Sequence, residues 1–421
     1  MQSSIKLRLT VMNFLQFAVW GAYLTSMGRY LGTAGFGSEI GNFYAMQGLV
    51  SLFMPALMGI VADRWIPAQR LLGVCHTLAG MLMLGVFLYT QTDAPSYPSL
   101  FALYSLSVAF YMPTLALSNS VAYTSLDQAG LDLVKSFPPI RVFGTVGFIC
   151  TMIAVSLLGL EATSGQFAVS AIISLVLAVY AQTLPNCPTA PKGQSKSLVE
   201  ALGLRAFVLF KQRKMALFFI FSMLLGVSLQ ITNGFANPFI STFGEIPAYA
   251  DTFGVKYANI LISLSQLSET LCILLIPFAL RRFGIRRVML IAMVAWVLRF
   301  ALLGLGNPGS GVWLFLLSMI VYGVAFDFFN VSGSLFVDKE TDPSIRSSAQ
   351  GLFMIMTNGI GATLGSLGAQ AVINRFVYSQ SDTTAILAGW TTSWYIFAAY
   401  AAVVAVLFAL LFRYNTATEA K

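Results

Sequence analysis

Gly59-Ile60-Val61-Ala62-Asp63-Arg64-Trp65-Ile66-Pro67-Ala68-Gln69-Arg70 is a short charged turn set between two long apolar runs. Residues 40–62 carry no charge, and residues 71–91 carry none. Each run reaches the roughly 20 residues needed to cross the hydrocarbon of a bilayer. The stretch therefore reads as a tight connection between two spanning helices. Pro277-Phe278-Ala279-Leu280-Arg281-Arg282-Phe283-Gly284-Ile285-Arg286-Arg287 repeats the arrangement in the second half of the chain, again between apolar runs. Two basic turns in corresponding places predict a chain built as two related halves.

On either side of these turns, apolar stretches of spanning length recur at 9–32, 40–62, 70–91, 98–123, 137–159, 165–184, 214–241, 257–280, 286–306, 311–337, 345–374 and 390–412. Every span must be helical, because an unpaired backbone group in hydrocarbon costs several kcal/mol. The expectation is an all-α membrane protein of twelve transmembrane helices. Composition agrees: 57% of the 421 residues are hydrophobic and only 10% are charged, against about 25% charged in soluble domains. The N-terminal run 9–31 is too long for a cleaved signal and long enough to span.

The longest hydrophilic stretch, rich in Pro, Lys and Ser, falls near the middle. It divides the chain into a six-helix bundle over 1–184, a linker over 185–213 and a second six-helix bundle over 214–421. Basic residues set the orientation. With both termini cytoplasmic, the inner segments hold most of them, among them Lys6, Arg8, Arg64, Arg70, Lys192, Lys196, Arg281, Arg282 and Lys421. The outer side holds only Arg29, Lys256 and Arg375. The net charge of +8 is spent in these short gaps, and no basic stripe for nucleic acid is present. Cys75, Cys150, Cys187 and Cys272 are isolated and give no disulfide or metal spacing.

The first turn resembles the loop signature G-x-x-x-D-R-x-x-x-x-R of the major facilitator superfamily, with Pro67 and Ala68 where a glycine is often found. A narrower resemblance covers nearly the whole chain. Phe14-Leu-Gln-Phe-Ala-Val-Trp20-Gly21, Phe137-Pro-Pro-Ile-Arg141-Val-Phe-Gly-Thr145-Val-Gly-Phe148, Leu229-Gln230-Ile-Thr-Asn233, Ser265-Gln266-Leu-Ser-Glu269-Thr, Val321-Tyr322-Gly-Val-Ala-Phe326-Asp327-Phe-Phe-Asn330 and Ser347-Ser-Ala-Gln-Gly-Leu352 resemble the bacterial nucleoside–proton symporters of that superfamily. The resemblance implies the major facilitator fold in an inner membrane. It also implies uptake of purine and pyrimidine nucleosides driven by the proton gradient through alternating access, with a single chain as the working unit.

The residues themselves point the same way. Charges inside spans cost about 2.5–3.5 kcal/mol at the helix centre and are functional by default. Glu269 and Asp327 sit mid-span, and burial suits a carboxyl to binding and releasing a proton. Both are candidates for proton coupling, Asp327 first. Arg141, Thr145 and Phe148 share one helix face. Gln230 and Asn233 share another, as do Gln266 and Glu269, and Tyr322 and Phe326. Amides, a guanidinium, hydroxyls and aromatic rings are what ribose hydroxyls, base edges and a flat base require. These nine residues form the expected substrate shell, drawn from both halves. Arg299, with nothing polar beside it on its own face, reads as structural. The lone histidine, His76, reads as a packing or hydrogen-bonding residue. No cofactor, metal site or enzyme motif is implied. A xanthosine-selective or sugar–proton symporter of the same fold is the alternative. A drug–proton antiporter suits this polar residue set less well, and a membrane enzyme lacks a nucleophile–base set.

Overall fold

The structure, a computed structural model, describes residues 2–189 and 204–414. The central part of the expected linker, with Lys192 and Lys196, lies outside these residues, as does Lys421. Among the described residues the chain forms two compact units, 2–36 with 46–189 and 37–45 with 204–414.

In the first unit, α1 (Gln2–Gly21) and α2 (Met27–Thr33) are joined by a turn. They are followed by α3 (Ile40–Ser51), whose first residues belong to the second unit, and by α4 (Met54–Arg64). Then come α5 (Ala68–Tyr89), α6 (Tyr97–Gln128), α7 (Leu133–Leu157) and α8 (Gly165–Ala181). Pro55 stands in the first turn of α4, where its missing N–H costs nothing. The stretch read as one helix over 40–62 is therefore jointed.

The second unit opens with a 3₁₀ helix over Leu204–Lys211, inside the stretch read as linker, with Ala206 and Leu209 buried. α9 (Arg213–Leu229) and α10 (Ile231–Thr242) follow. α11 (Ala258–Leu305) is two rods meeting at Gly284, whose backbone has φ 74°. A side chain would be strained there, so this glycine makes the turn between the segments read as 257–280 and 286–306. α12 (Val312–Glu340), α13 (Arg346–Met354), α14 (Ala362–Ile373) and α15 (Thr383–Leu411) complete the unit. π-helical turns over 355–361 and 374–378 make 346–378 a continuous rod. Asp382 caps α15 by accepting from the Ala385 amide at 3.1 Å, so that helix begins seven residues earlier than the apolar run at 390. Arg286, just after Gly284, donates to the carbonyls of Phe412 (2.6 Å) and Ala409 (2.7 Å). A cation there satisfies the end of α15 and its dipole.

A helix occupies each of the twelve stretches read from the sequence. Among the described residues, nine helical stretches are long and apolar enough to cross a membrane, with 37–64, 213–245, 258–305 and 348–378 each counted as one. Large apolar side chains cover the outside, such as Leu274 at 75% and Val179 at 73% exposure. An apolar exterior of this kind is suited to lipid, and the chain is a multi-pass membrane protein.

Candidate functional site

In the first unit the candidates lie on α7. The prolines that precede Arg141 are inside the helix, which begins at Leu133, so Arg141 stands about two turns in rather than one. Helices α1 and α7 touch backbone to backbone. A Cβ on Gly147 would lie 2.1 Å from the Phe14 carbonyl oxygen, and one on Gly21 would lie 2.4 Å from that of Phe148. Small residues allow such approach in membranes. These contacts are a physical reason for the paired strings Phe14–Gly21 and Phe137–Phe148. The guanidinium of Arg141 stands 4.1 Å from the centroid of the Phe17 ring, and Phe148 meets Trp20 edge-on at 6.3 Å. Trp20 Nε1 donates to Gln47 Oε1 at 3.3 Å, and Gln47 Nε2 donates to the Tyr104 hydroxyl at 2.8 Å. Thr145 is half-buried and has no hydrogen bond from its hydroxyl among the described residues.

Behind these residues runs a buried polar chain. His76 Nε2 meets Gln16 Oε1 at 2.8 Å, and His76 Nδ1 meets Ser174 Oγ at 2.9 Å. Gln16 Nε2 donates to Thr114 Oγ1 at 2.7 Å, and the Tyr111 hydroxyl donates to the Gln16 carbonyl at 2.8 Å. The lone histidine thus links α1, α5 and α8 through hydrogen bonds, the role its sequence setting suggests.

In the second unit the candidates lie at the α9–α10 joint and on α10, α11 and α12. Gln230 sits at the joint between α9 and α10 rather than inside one helix. There its Oε1 accepts from Asn233 Nδ2 at 2.9 Å. Gln266 and Glu269 are half-buried on the first rod of α11. Tyr322 and Phe326 stack at 5.6 Å with their planes 15° apart. Asp327 is only 5% exposed, and its Oδ2 has no hydrogen-bond partner among the described residues. It lies within electrostatic reach of Glu269, and Tyr322 within reach of both carboxyls. What brings them together is Gly323. A Cβ there would lie 2.5 Å from the Ser268 carbonyl oxygen, so α11 and α12 cross in direct backbone contact beside Glu269 and Asp327. Gly323 thus gathers the candidates of α11 and α12, and the Gln230–Asn233 bond joins those two residues to each other, whereas the Gln266 side chain makes no hydrogen bond among the described residues.

Some residues now at the sites were not singled out for a role by sequence reasoning. Gln47 and Trp20 carry polar contacts beside Phe148, and Trp20 stands inside a quoted string. Arg299 reads as structural from its own apolar face, yet its partners stand on other helices and on the other rod of α11. Its guanidinium lies 4.5 Å from the Tyr322 ring centroid.

The sequence profile of the family described as "Nucleoside H+ symporter" matches residues 3–417. The chain belongs to the nucleoside H+ symporter family. This symporter is 50% identical to the xanthosine permease of Escherichia coli (strain K12) over 416 residues, covering 98% of this chain and 97% of that one. It is 47% identical to the nucleoside permease NupG of the same organism over 415 residues, with the same coverage. The crystal structure of the nucleoside transporter NupG superposes on this symporter with a TM-score of 0.89 at 46% identity, covering 98% of this chain and 100% of the other. The fold is that of a major facilitator, and the chain is a transporter rather than an enzyme.

Proposed function

We propose that this chain carries nucleosides inward together with protons by alternating access, as a multi-pass protein of the bacterial inner membrane working as a single chain. The observation that carries the reading is the second unit's cluster. An amide at the joint before α10 and one on α10, an amide and a carboxyl on α11, and a stacked aromatic pair with a buried carboxyl on α12 supply hydrogen bonds for a ribose and a flat surface for a base. Both termini face the cytoplasm, on the distribution of Lys and Arg.

Each set of residues has a defined task. Arg141 and Thr145 with Phe148, and Gln230, Asn233, Gln266, Glu269 and Tyr322 with Phe326, bind the nucleoside. Asp327 and Glu269 handle the proton. A neutral nucleoside gains nothing from the membrane potential by itself. One accompanying proton adds about 2.3 kcal/mol per 100 mV, roughly a fifty-fold accumulation.

Uptake of radiolabelled uridine, adenosine and xanthosine into cells lacking their own nucleoside transporters tests this. Concentration of uridine and adenosine that a protonophore abolishes is the expected result. The 50% identity to a xanthosine permease favours a second reading, selectivity for xanthosine, and the same panel distinguishes it by uptake of xanthosine alone.

A further inference from the structure

Arg299, on the second rod of α11, is 2% exposed. It has no carboxylate partner among the described residues. Its Nη1 donates to the Ser318 carbonyl at 2.7 Å and approaches Ser265 Oγ at 3.4 Å, and its Nη2 donates to Thr232 Oγ1 at 3.2 Å. Its Nε has no partner. The Ser318 hydroxyl donates back to the Arg299 carbonyl at 2.9 Å. A buried cation with no counter-ion is costly, and neutral side chains could fill the same space more cheaply.

Its neighbours give that cost a purpose. Thr232 lies between Gln230 and Asn233. Ser265 immediately precedes Gln266 and stands one turn before Glu269. Ser318 stands one turn before Tyr322, whose ring the guanidinium covers. One side chain therefore ties together the three helices that carry the second unit's candidates.

We propose that Arg299 is a positioning residue for the nucleoside site, acting through Tyr322. The cation over the ring fixes the ring's orientation. It also draws electron density from the phenol, so that the hydroxyl donates more strongly to an oxygen or nitrogen acceptor on the substrate. The proposal rests on the reading that Tyr322 contacts the nucleoside. Lysine keeps the charge but not the planar fork or its stacking.

The test is a double-mutant cycle on uridine uptake, with KM, Vmax and the amount of protein in the membrane measured for each variant. Arg299→Lys should raise KM about ten-fold with a smaller change in Vmax. In a Tyr322→Phe background, which lacks the hydroxyl, the same change should raise KM less than about two-fold. Thr232→Val, which removes one anchor of the guanidinium without changing its charge, should raise KM about three-fold. That rise should also vanish in the Tyr322→Phe background, which keeps the test available should Arg299→Lys fail to reach the membrane. If Tyr322→Phe raises KM but the Arg299 and Thr232 changes leave it alone, or add to it fully, Arg299 is scaffold and the proposal fails. If Tyr322→Phe leaves KM unchanged, the placement of Tyr322 against substrate fails and takes this proposal with it.

Discussion

Replacing Gly323 by alanine probes the crossing that gathers the second unit's candidates. The added Cβ would lie 2.5 Å from the Ser268 carbonyl oxygen, 2.6 Å from its carbonyl carbon and 2.7 Å from Cys272 Sγ. Two of these neighbours are backbone atoms, so no rotamer change relieves the clash. Carbon contacts are comfortable at about 3.5–4.0 Å, so α11 and α12 must separate by on the order of 1 Å. Overpacking of this kind costs about 1–3 kcal/mol, which a folded membrane protein tolerates. The functional cost is larger, because Glu269 and Ser265 move relative to Asp327 and Tyr322. Misplacement by about 1 Å can cost up to a hundred-fold in rate where geometry matters. Gly323→Ala should therefore lower the initial rate of uridine entry at least about ten-fold per molecule in the membrane. Gly368→Ala is the control. It is exposed in α14 with nothing within 4 Å of the added atom, and alanine favours a helix by about 1 kcal/mol. It should transport at the wild-type rate. Wild-type transport by Gly323→Ala at wild-type abundance would show that the α11–α12 crossing does not set the geometry of the site.

Other consequences can be measured on the same preparations. Asp327→Asn should lose accumulation, from roughly fifty-fold per 100 mV to equilibration, while remaining folded; retained concentration in both Asp327→Asn and Glu269→Gln cells would remove the carboxyls from coupling. Gln230→Ala and Asn233→Ala should each weaken nucleoside binding about ten-fold or more by calorimetry, and unchanged affinity in both would move the site elsewhere. Outside the spans, the Lys256 ammonium 2.8 Å from Asp251 holds the Asp251 carboxyl below its usual range. A carboxyl shifted down when folded contributes stability that is present above its unfolded value and lost as pH falls through the folded one. The pair is exposed, so Asp251→Asn should change thermal stability little near neutral pH, and a large fall in melting temperature would contradict that.

Much of the fold could be read because a bilayer leaves the backbone few options. Apolar length alone located a helix in each of the twelve stretches, and the two basic turns marked their joints. Boundaries failed where polar residues extend a helix beyond its apolar stretch. α15 starts at Thr383 because Asp382 caps it, and α1 starts at Gln2 although hydropathy rises only near Leu9. Helical spacing placed Gln230 with Asn233 and Tyr322 with Phe326, because i, i+3 and i, i+4 partners meet by geometry. It could not supply contacts made across helices. Arg299 looked unaccompanied because Thr232, Ser265 and Ser318 lie on different helices or rods, far away along the chain. The nearness of Glu269 to Asp327 was equally hidden, since it depends on the absence of a side chain at Gly323.

If a proton moves with each nucleoside, uridine carries acid across the membrane. Purified protein in liposomes loaded with a pH-sensitive dye can be given uridine with no preset pH gradient. Uridine entry should acidify the lumen, and a protonophore should erase the signal. Uridine entering at the same rate with no change in lumenal pH would contradict proton coupling.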